Sequence, residues 1–138
     1  MSVYRSNSHC KYLLQFHLIL VCKYRKKLLI KQNIINDVWK FSIEYFHNHD
    51  IWFHAINTDK DHIHYMIETK PTTNLSNMIK GLKSYTTYHV WQNHCDYLSL
   101  NFWKEHTFWR DGYFLATIGE VSEEGLKYYI ENQGKKVQ

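Results

Sequence analysis

His62 and His64 lie in the stretch DHIHYMI at positions 61–67. On a β-strand, side chains alternate faces, so residues two apart point the same way and stand roughly 6.6 Å apart. Two imidazoles at that separation can converge on one divalent ion while Ile63 and Tyr65 face the other side. The chain carries ten histidines, and at that density chance alone supplies roughly 0.7 His-x-His triplets. Spacing therefore needs help from secondary structure. HNH at 47–49 has the same spacing, but it falls at a predicted helix end, where residues two apart point about 200° from each other and do not chelate. Two histidines beside a hairpin turn are also an ordinary half-exposed surface. An ion such as Mg²⁺ or Mn²⁺ wants oxygen ligands as well.

A second cluster is KYYIENQ at 127–133. Tyr129 and Gln133 are four apart and adjacent on one helix face, whereas Tyr128 is five from Gln133 and points about 140° away. Gln133 can offer a metal its amide oxygen, and the Tyr129 phenol becomes a nucleophile where its pKa falls from about 10. Taken alone, the same pattern describes an amphipathic helix with a packed tyrosine and a solvated glutamine.

These residues need a scaffold. Residues 13–22 (LLQFHLILVC) alternate Leu14, Phe16, Leu18, Leu20 and Cys22 onto one face and predict a central strand. Apolar positions Ile35, Val38, Tyr45 and Phe46 predict a helix from Asn33 to about His47. Residues 51–58 and 62–69 read as strands joined by a turn at Asp59, Lys60 and Asp61, with Pro71 ending the second. Asn74 is an N-cap candidate for a helix reaching about Gln92. Residues 93–111 read as irregular and aromatic, and 113–118 as a fourth strand. Ser122, with Glu123 and Glu124, opens a last helix that ends near Gln133, before Gly134.

The order β-α-β-β-α-β is the split βαβ, ferredoxin-like and RRM-like plan: an α+β fold with an antiparallel sheet and an extra C-terminal helix carrying Tyr129. At 138 residues the chain suits one domain spanning 1–138. Hydrophobic residues make up 44%, which excludes a disordered chain. The net charge of +4 permits a polyanionic partner without demanding one. Three cysteines with no C-x-x-C pair fit a reduced, cytoplasmic setting. The most apolar run, 16–22, is far short of the ~20 residues that span a bilayer, so no membrane association is expected.

Taken together, the motifs resemble a known family. His-hydrophobic-His on a central strand, YFLATIG at 113–119 and YIENQ at 129–133 are similar to the single-tyrosine HUH transposases of the smallest bacterial insertion sequences. CKYRKK at 22–27, TDKDHIH at 58–64 and KGLKSY at 80–85 extend the likeness over nearly the whole chain. The resemblance implies a transposase that cuts and rejoins single-stranded DNA at the ends of its element through a 5′-phosphotyrosine intermediate. Tyr129 would be the nucleophile, and His62, His64 and Gln133 would hold Mg²⁺ or Mn²⁺. It also implies a homodimer with active sites shared between subunits, and binding of single-stranded DNA with hairpin ends. Lys23, Tyr24, Arg25, Lys26 and Lys27 then become candidates for phosphate contact and base stacking, with Lys80 and Lys83 extending that surface. Trp103, Phe108 and Trp109 read as core more readily than as a stacking platform. Three alternatives stay open: a non-catalytic RRM-like nucleic-acid binder, a domesticated HUH endonuclease that no longer transposes, and a metal hydrolase in which water attacks.

Overall fold

The computed structural model describes residues 4–118 and 129–131. A short hairpin, β1 (Arg5–Ser6) and β2 (Lys11–Tyr12), precedes the long strand β3 (Leu14–Val21). After a 3₁₀ turn at Lys23–Arg25 come α1 (Gln32–Asn48), β4 (Trp52–Asp59), β5 (His62–Thr69), α2 (Leu75–Asn101) and β6 (Phe114–Thr117). The main sheet is antiparallel throughout, in the order β4-β5-β3-β6. This is the expected ferredoxin-like plan, with β3 and β5 at its centre.

The alternation read in β3 sorts the two faces of the sheet. Leu18, Leu20 and Cys22, with Ile63, Tyr65 and Ile67 of β5, join one buried cluster with Ile34, Val38, Phe46, Ile79 and Leu82 of the helices. Their strand neighbours His17, His62 and His64 therefore lie on the opposite face. The β4–β5 turn is as tight as expected, with Lys60 at φ 48°. The Leu29 N–H donates to the Lys60 carbonyl at 2.8 Å, tying the turn to the segment before α1.

Three features depart from the sequence reading. The β1–β2 hairpin was not foreseen; strands of two residues leave no periodicity to read. The second helix does not stop near Gln92 but continues to Asn101. It is interrupted at His94 (φ −134°, ψ 31°), whose Nε2 lies 2.7 Å from Asp37 Oδ2 on α1, while Asn93 donates to the same oxygen at 3.1 Å. The interruption breaks the apolar period at the place where the sequence ceases to look helical, yet Leu98 beyond it is fully buried. Third, the aromatic stretch divides: Phe108 and Trp109 are buried as expected, and Trp103 is 82% exposed. Of the last helix, residues 129–131 are helical, and the rest of the expected span lies outside the described residues.

Gly81, in the KGLKSY segment of α2, marks the close approach of the two helices. The Tyr45 hydroxyl occupies the space a Cβ would take at this position. That hydroxyl donates to the Met78 carbonyl at 2.9 Å, and its ring is stacked on His49 at 4.0 Å and packed against Tyr85 at 5.7 Å. Tyr45 is thus held on two sides and cannot swing away freely. Gly81→Ala gains up to ~1 kcal/mol of helix propensity but overpacks this contact, which costs about 1–3 kcal/mol. A net destabilisation is expected in a urea melt, and Tyr45→Phe should relieve part of it.

Candidate functional site

The face of the sheet away from the helices brings the candidate residues into order. Strand pairing sets Phe114 of β6 beside Ile19 of β3, Ile19 beside His64 of β5, and His64 beside Asn57 of β4. Directly paired residues share a face, so this row crosses the sheet on the histidine side. One row further along β5, His62 pairs with Val21 and Asp59. Ile19 and Val21, both about 1% exposed, make an apolar floor beside the two imidazoles.

Tyr129 comes to the same side. Its ring lies 5.2 Å from that of Phe114, tilted by 53°. Phe114 is thus the residue that seats the tyrosine one strand away from Ile19 and two from His64. Arg110, between the aromatic segment and β6, has Tyr129, Arg25 and Asp61 as its electrostatic neighbours. Burial lowers its pKa, and Tyr129 and Asp61 act in the opposite sense. Its backbone N–H donates to the Val21 carbonyl at 2.8 Å, which fixes it at the end of β3.

The two histidines differ in their partners. His62 Nδ1 lies 3.0 Å from Asp61 Oδ1, and the other Asp61 oxygen accepts from Arg25 Nε at 3.1 Å. Burial works to raise the Asp61 pKa, but the hydrogen bonds from His62 and Arg25 outweigh it and hold the carboxyl below its ordinary value. An ionised Asp61 fixes the proton of His62 on Nδ1 and leaves Nε2 with its lone pair. A carboxylate behind a metal-binding imidazole has this same arrangement. His64 Nε2 lies 2.7 Å from Nδ1 of His17, and the two rings stack with centroids 4.9 Å apart. Burial first, then the charges of His17 and His62, lower the His64 pKa. The neutral imidazole that can bind a metal is therefore the favoured form of His64 near neutral pH. This donor chemistry fits a divalent ion. Among the described residues no group of three or more His, Cys, Asp or Glu is disposed to hold a metal by itself. Gln133, the expected oxygen donor, lies outside the described residues.

HNH at 47–49 behaves as its helical phase requires. His49 caps the end of α1 with Nδ1 against the Tyr45 carbonyl at 2.8 Å.

The basic loop is more committed than its sequence suggests. Arg25 is paired with Asp61, Lys23 Nζ lies 3.9 Å from Asp111, and the Tyr24 hydroxyl donates to Glu105 at 3.0 Å. Lys26 and Lys27 have no carboxylate within 4.0 Å among the described residues. On α2, Lys80 is exposed, but Lys83 is partly buried. Its Nζ donates to the carbonyls of Arg110 at 2.7 Å and Gly112 at 3.1 Å. Lys83 thus straps α2 to the segment before β6, and an ammonium satisfied by two carbonyls has little left for a phosphate. Sequence reasoning missed His17, Arg110 and Phe114. His17 was legible in principle, because the alternation that buries Leu18 and Leu20 turns it onto the face of His64.

Comparison with solved structures speaks first to the fold. A candidate transposase from Deinococcus radiodurans superposes with a TM-score of 0.85 at 21% identity, over 94% of this chain and 97% of the other. A REP-associated tyrosine transposase, solved bound to a REP hairpin, superposes with a TM-score of 0.54 at 10% identity, over 92% of this chain and 70% of the other. The curated proteins contain no sequence match. The sequence pattern described as "Transposase IS200 like" matches residues 10–133, and the chain belongs to that family of transposases.

Proposed function

We propose that this transposase is a metal-dependent single-stranded DNA endonuclease and strand transferase that works through a 5′-phosphotyrosine intermediate. The observation that carries the reading is the seating of Tyr129 against Phe114, on the sheet face that carries His62 and His64. In the step inferred, the Tyr129 oxygen attacks the scissile phosphorus and the bond from phosphorus to the 3′ oxygen breaks. The phenol's proton passes to solvent, and the leaving 3′ oxygen takes one up from solvent, so the leaving strand ends in a 3′-OH. The phosphotyrosine ester keeps the bond energy, so a second 3′-OH can displace the tyrosine and rejoin strands without a nucleotide cofactor.

His62, His64 and Gln133 are the residues proposed to hold Mg²⁺ or Mn²⁺, which when bound supplies Lewis-acid polarisation of the phosphate. Asp61 orients His62, and Arg110 places a positive charge near the tyrosine oxygen, where it favours the phenolate. Lys27 and Lys80, both exposed, and the half-buried Lys26 remain the cations for the DNA backbone. The hairpin bound by the REP-associated relative supports a hairpin-ended single strand as the substrate. A homodimer with shared sites is part of the same reading; β4 and β6 are the strands at the edges of the sheet through which copies can meet.

The test is incubation with Mg²⁺ and a labelled single-stranded oligonucleotide carrying a hairpin. A protein–DNA adduct that survives a denaturing gel, and that fails to form when EDTA removes the metal, is expected. Cleavage without any adduct would point to attack by water and overturn the reading. Asp61→Asn should weaken Mn²⁺ binding, measured by calorimetry, by about 10–100-fold, since a neutral amide, which can donate as well as accept, no longer enforces the proton on His62 Nδ1. An unchanged affinity would show that Asp61 only pins the loop.

A further inference from the structure

The corner where the basic loop meets the segment after α2 combines exposed rings, a cluster of cations and unusual backbone. Tyr24, Arg25 and Lys104 adopt positive φ angles of 58°, 52° and 54°. For residues with a β-carbon such values are uncommon and cost energy, and they concentrate at functional surfaces. Two aromatic side chains stand out of this corner: Trp103 is 82% exposed and Tyr24 63%. The two belong to one corner. The Tyr24 ring lies 6.4 Å from that of Phe102, the residue before Trp103, and the Tyr24 hydroxyl bonds to Glu105. Cations flank the rings: Lys104 Nζ is 5.3 Å from the Trp103 ring centre, Lys26 Nζ 5.7 Å from Phe102 and Lys23 Nζ 5.6 Å from Tyr24. Lys26, Lys27 and Lys104 have no carboxylate within 4.0 Å among the described residues.

The corner is also wired to the histidine pair. Arg25, next to Tyr24, bonds to Asp61, and Asp61 bonds to His62. Two side-chain hydrogen bonds thus join the residue after Tyr24 to the candidate metal ligand His62.

We propose that Trp103 and Tyr24 form a stacking platform for the unpaired bases that adjoin the scissile phosphate, with Lys26, Lys27 and Lys104 on the phosphates of that strand. The identity of the occupant rests on the nuclease reading above. The chemistry favours single-stranded DNA over the alternatives. A duplex has its base faces covered and offers nothing to a ring standing out of the surface. A protein partner docking on Trp103 would bury three ammonium groups that have no carboxylate within 4.0 Å among the described residues, which is unfavourable unless acids meet each one. An unpaired strand supplies both a ring face and a phosphate at every nucleotide.

The experiment uses the full chain in EDTA, so that no cleavage intervenes, with two fluorescein-labelled DNAs read by anisotropy at one salt concentration. One is a blunt hairpin, and the other is the same hairpin with an unpaired oligothymidine tail of about ten nucleotides. Trp103→Ala is expected to weaken binding of the tailed DNA by about 5–100-fold and to change blunt-hairpin binding by less than about twofold. Trp103→Phe should retain most of the tail affinity, and the tailed DNA should quench tryptophan emission in the wild type but much less in Trp103→Ala. The residue is so exposed that its truncation should not unfold the chain, which a thermal melt will show. Wild-type affinity of Trp103→Ala for the tailed DNA would overturn the proposal, as would equal losses on both DNAs. So would a loss of self-association on a sizing column with DNA affinity intact, which would mark the corner as protein-facing. The adduct assay separates the two readings. Tail-dependent binding through Trp103 without any adduct in Mg²⁺ overturns the nuclease and leaves the platform, whereas adducts with wild-type tail affinity in Trp103→Ala overturn the platform alone.

Discussion

Tyr129→Phe is expected to abolish the covalent DNA adduct, lowering its rate of formation by at least ~10⁴-fold, while Tyr128→Phe leaves the adduct in place. The substitution removes one oxygen and keeps the ring that packs on Phe114, so the local fold should survive. Among the described residues, the imidazoles on the same sheet face are proposed to be occupied as ligands, and a histidine adduct would be labile to acid. Losing a covalent nucleophile outright is among the largest single-residue effects known in enzymes, because the remaining binding groups have nothing to deliver. DNA affinity should stay within about twofold, since a lone phenol oxygen contributes little to a multi-phosphate contact. A denaturing gel reads both variants directly. An adduct persisting in Tyr129→Phe and lost in Tyr128→Phe would place the nucleophile one residue earlier on the helix; an adduct persisting in both would remove the tyrosine from the chemistry. Arg110→Met provides an internal control. It should slow adduct formation most at lower pH, where the phenolate needs help, and a pH-independent loss would speak for a packing role.

The scaffold was legible in the sequence wherever a period ran long enough. β3 and β5 alternate over eight residues each, and that alternation alone placed His62 and His64 opposite Ile63 and Tyr65. The rule that separated this pair from His47 and His49 was helical phase, and His49 is indeed spent on capping α1. What the sequence hid were partners brought together by pairing across the sheet. His17 is 47 positions from His64, and Arg110 reaches the tyrosine only because β6 folds back beside β3. Lys83 looked like a phosphate ligand from its spacing to Lys80, yet tertiary folding supplies two carbonyls that claim it. The kink at His94 was hidden for the same reason, since its cause is Asp37 on another helix. Local pattern foretells elements and faces; the state of a charged group depends on who arrives from elsewhere in the chain.

Tyr65→Ala is expected to cost about 3–5 kcal/mol of stability, the largest effect on folding of any change proposed for this chain. Tyr65 sits between His64 and Met66 on the central strand β5 and is fully buried. Its ring meets Phe46 of α1 edge-on at 5.3 Å, and its hydroxyl is 2.8 Å from Ser42 Oγ on the same helix. Burial pushes the phenol pKa far up, so the group stays neutral and hydrogen-bonded. Truncation removes that ring from a packed layer between sheet and helix, and also leaves the Ser42 hydroxyl without its partner. Tyr65→Phe separates the two contributions. It keeps the ring and should cost only about 1–3 kcal/mol for the orphaned hydroxyl, most of which Ser42→Ala should recover in the double variant. Urea melts at neutral pH measure all four proteins. In a domain whose total stability is of order 5–15 kcal/mol, Tyr65→Ala would leave a fold near its limit. Below the transition, however, the register of β5 is still set by β3 on one side and β4 on the other. Mn²⁺ affinity per folded molecule should therefore be close to that of the wild type. If Tyr65→Phe proves as costly as Tyr65→Ala, the hydrogen bond rather than the packed ring holds α1 to the strand. If Mn²⁺ affinity collapses in the folded Tyr65→Ala protein, the core face of β5 positions the histidines through the backbone, and the two sides of the sheet are not independent.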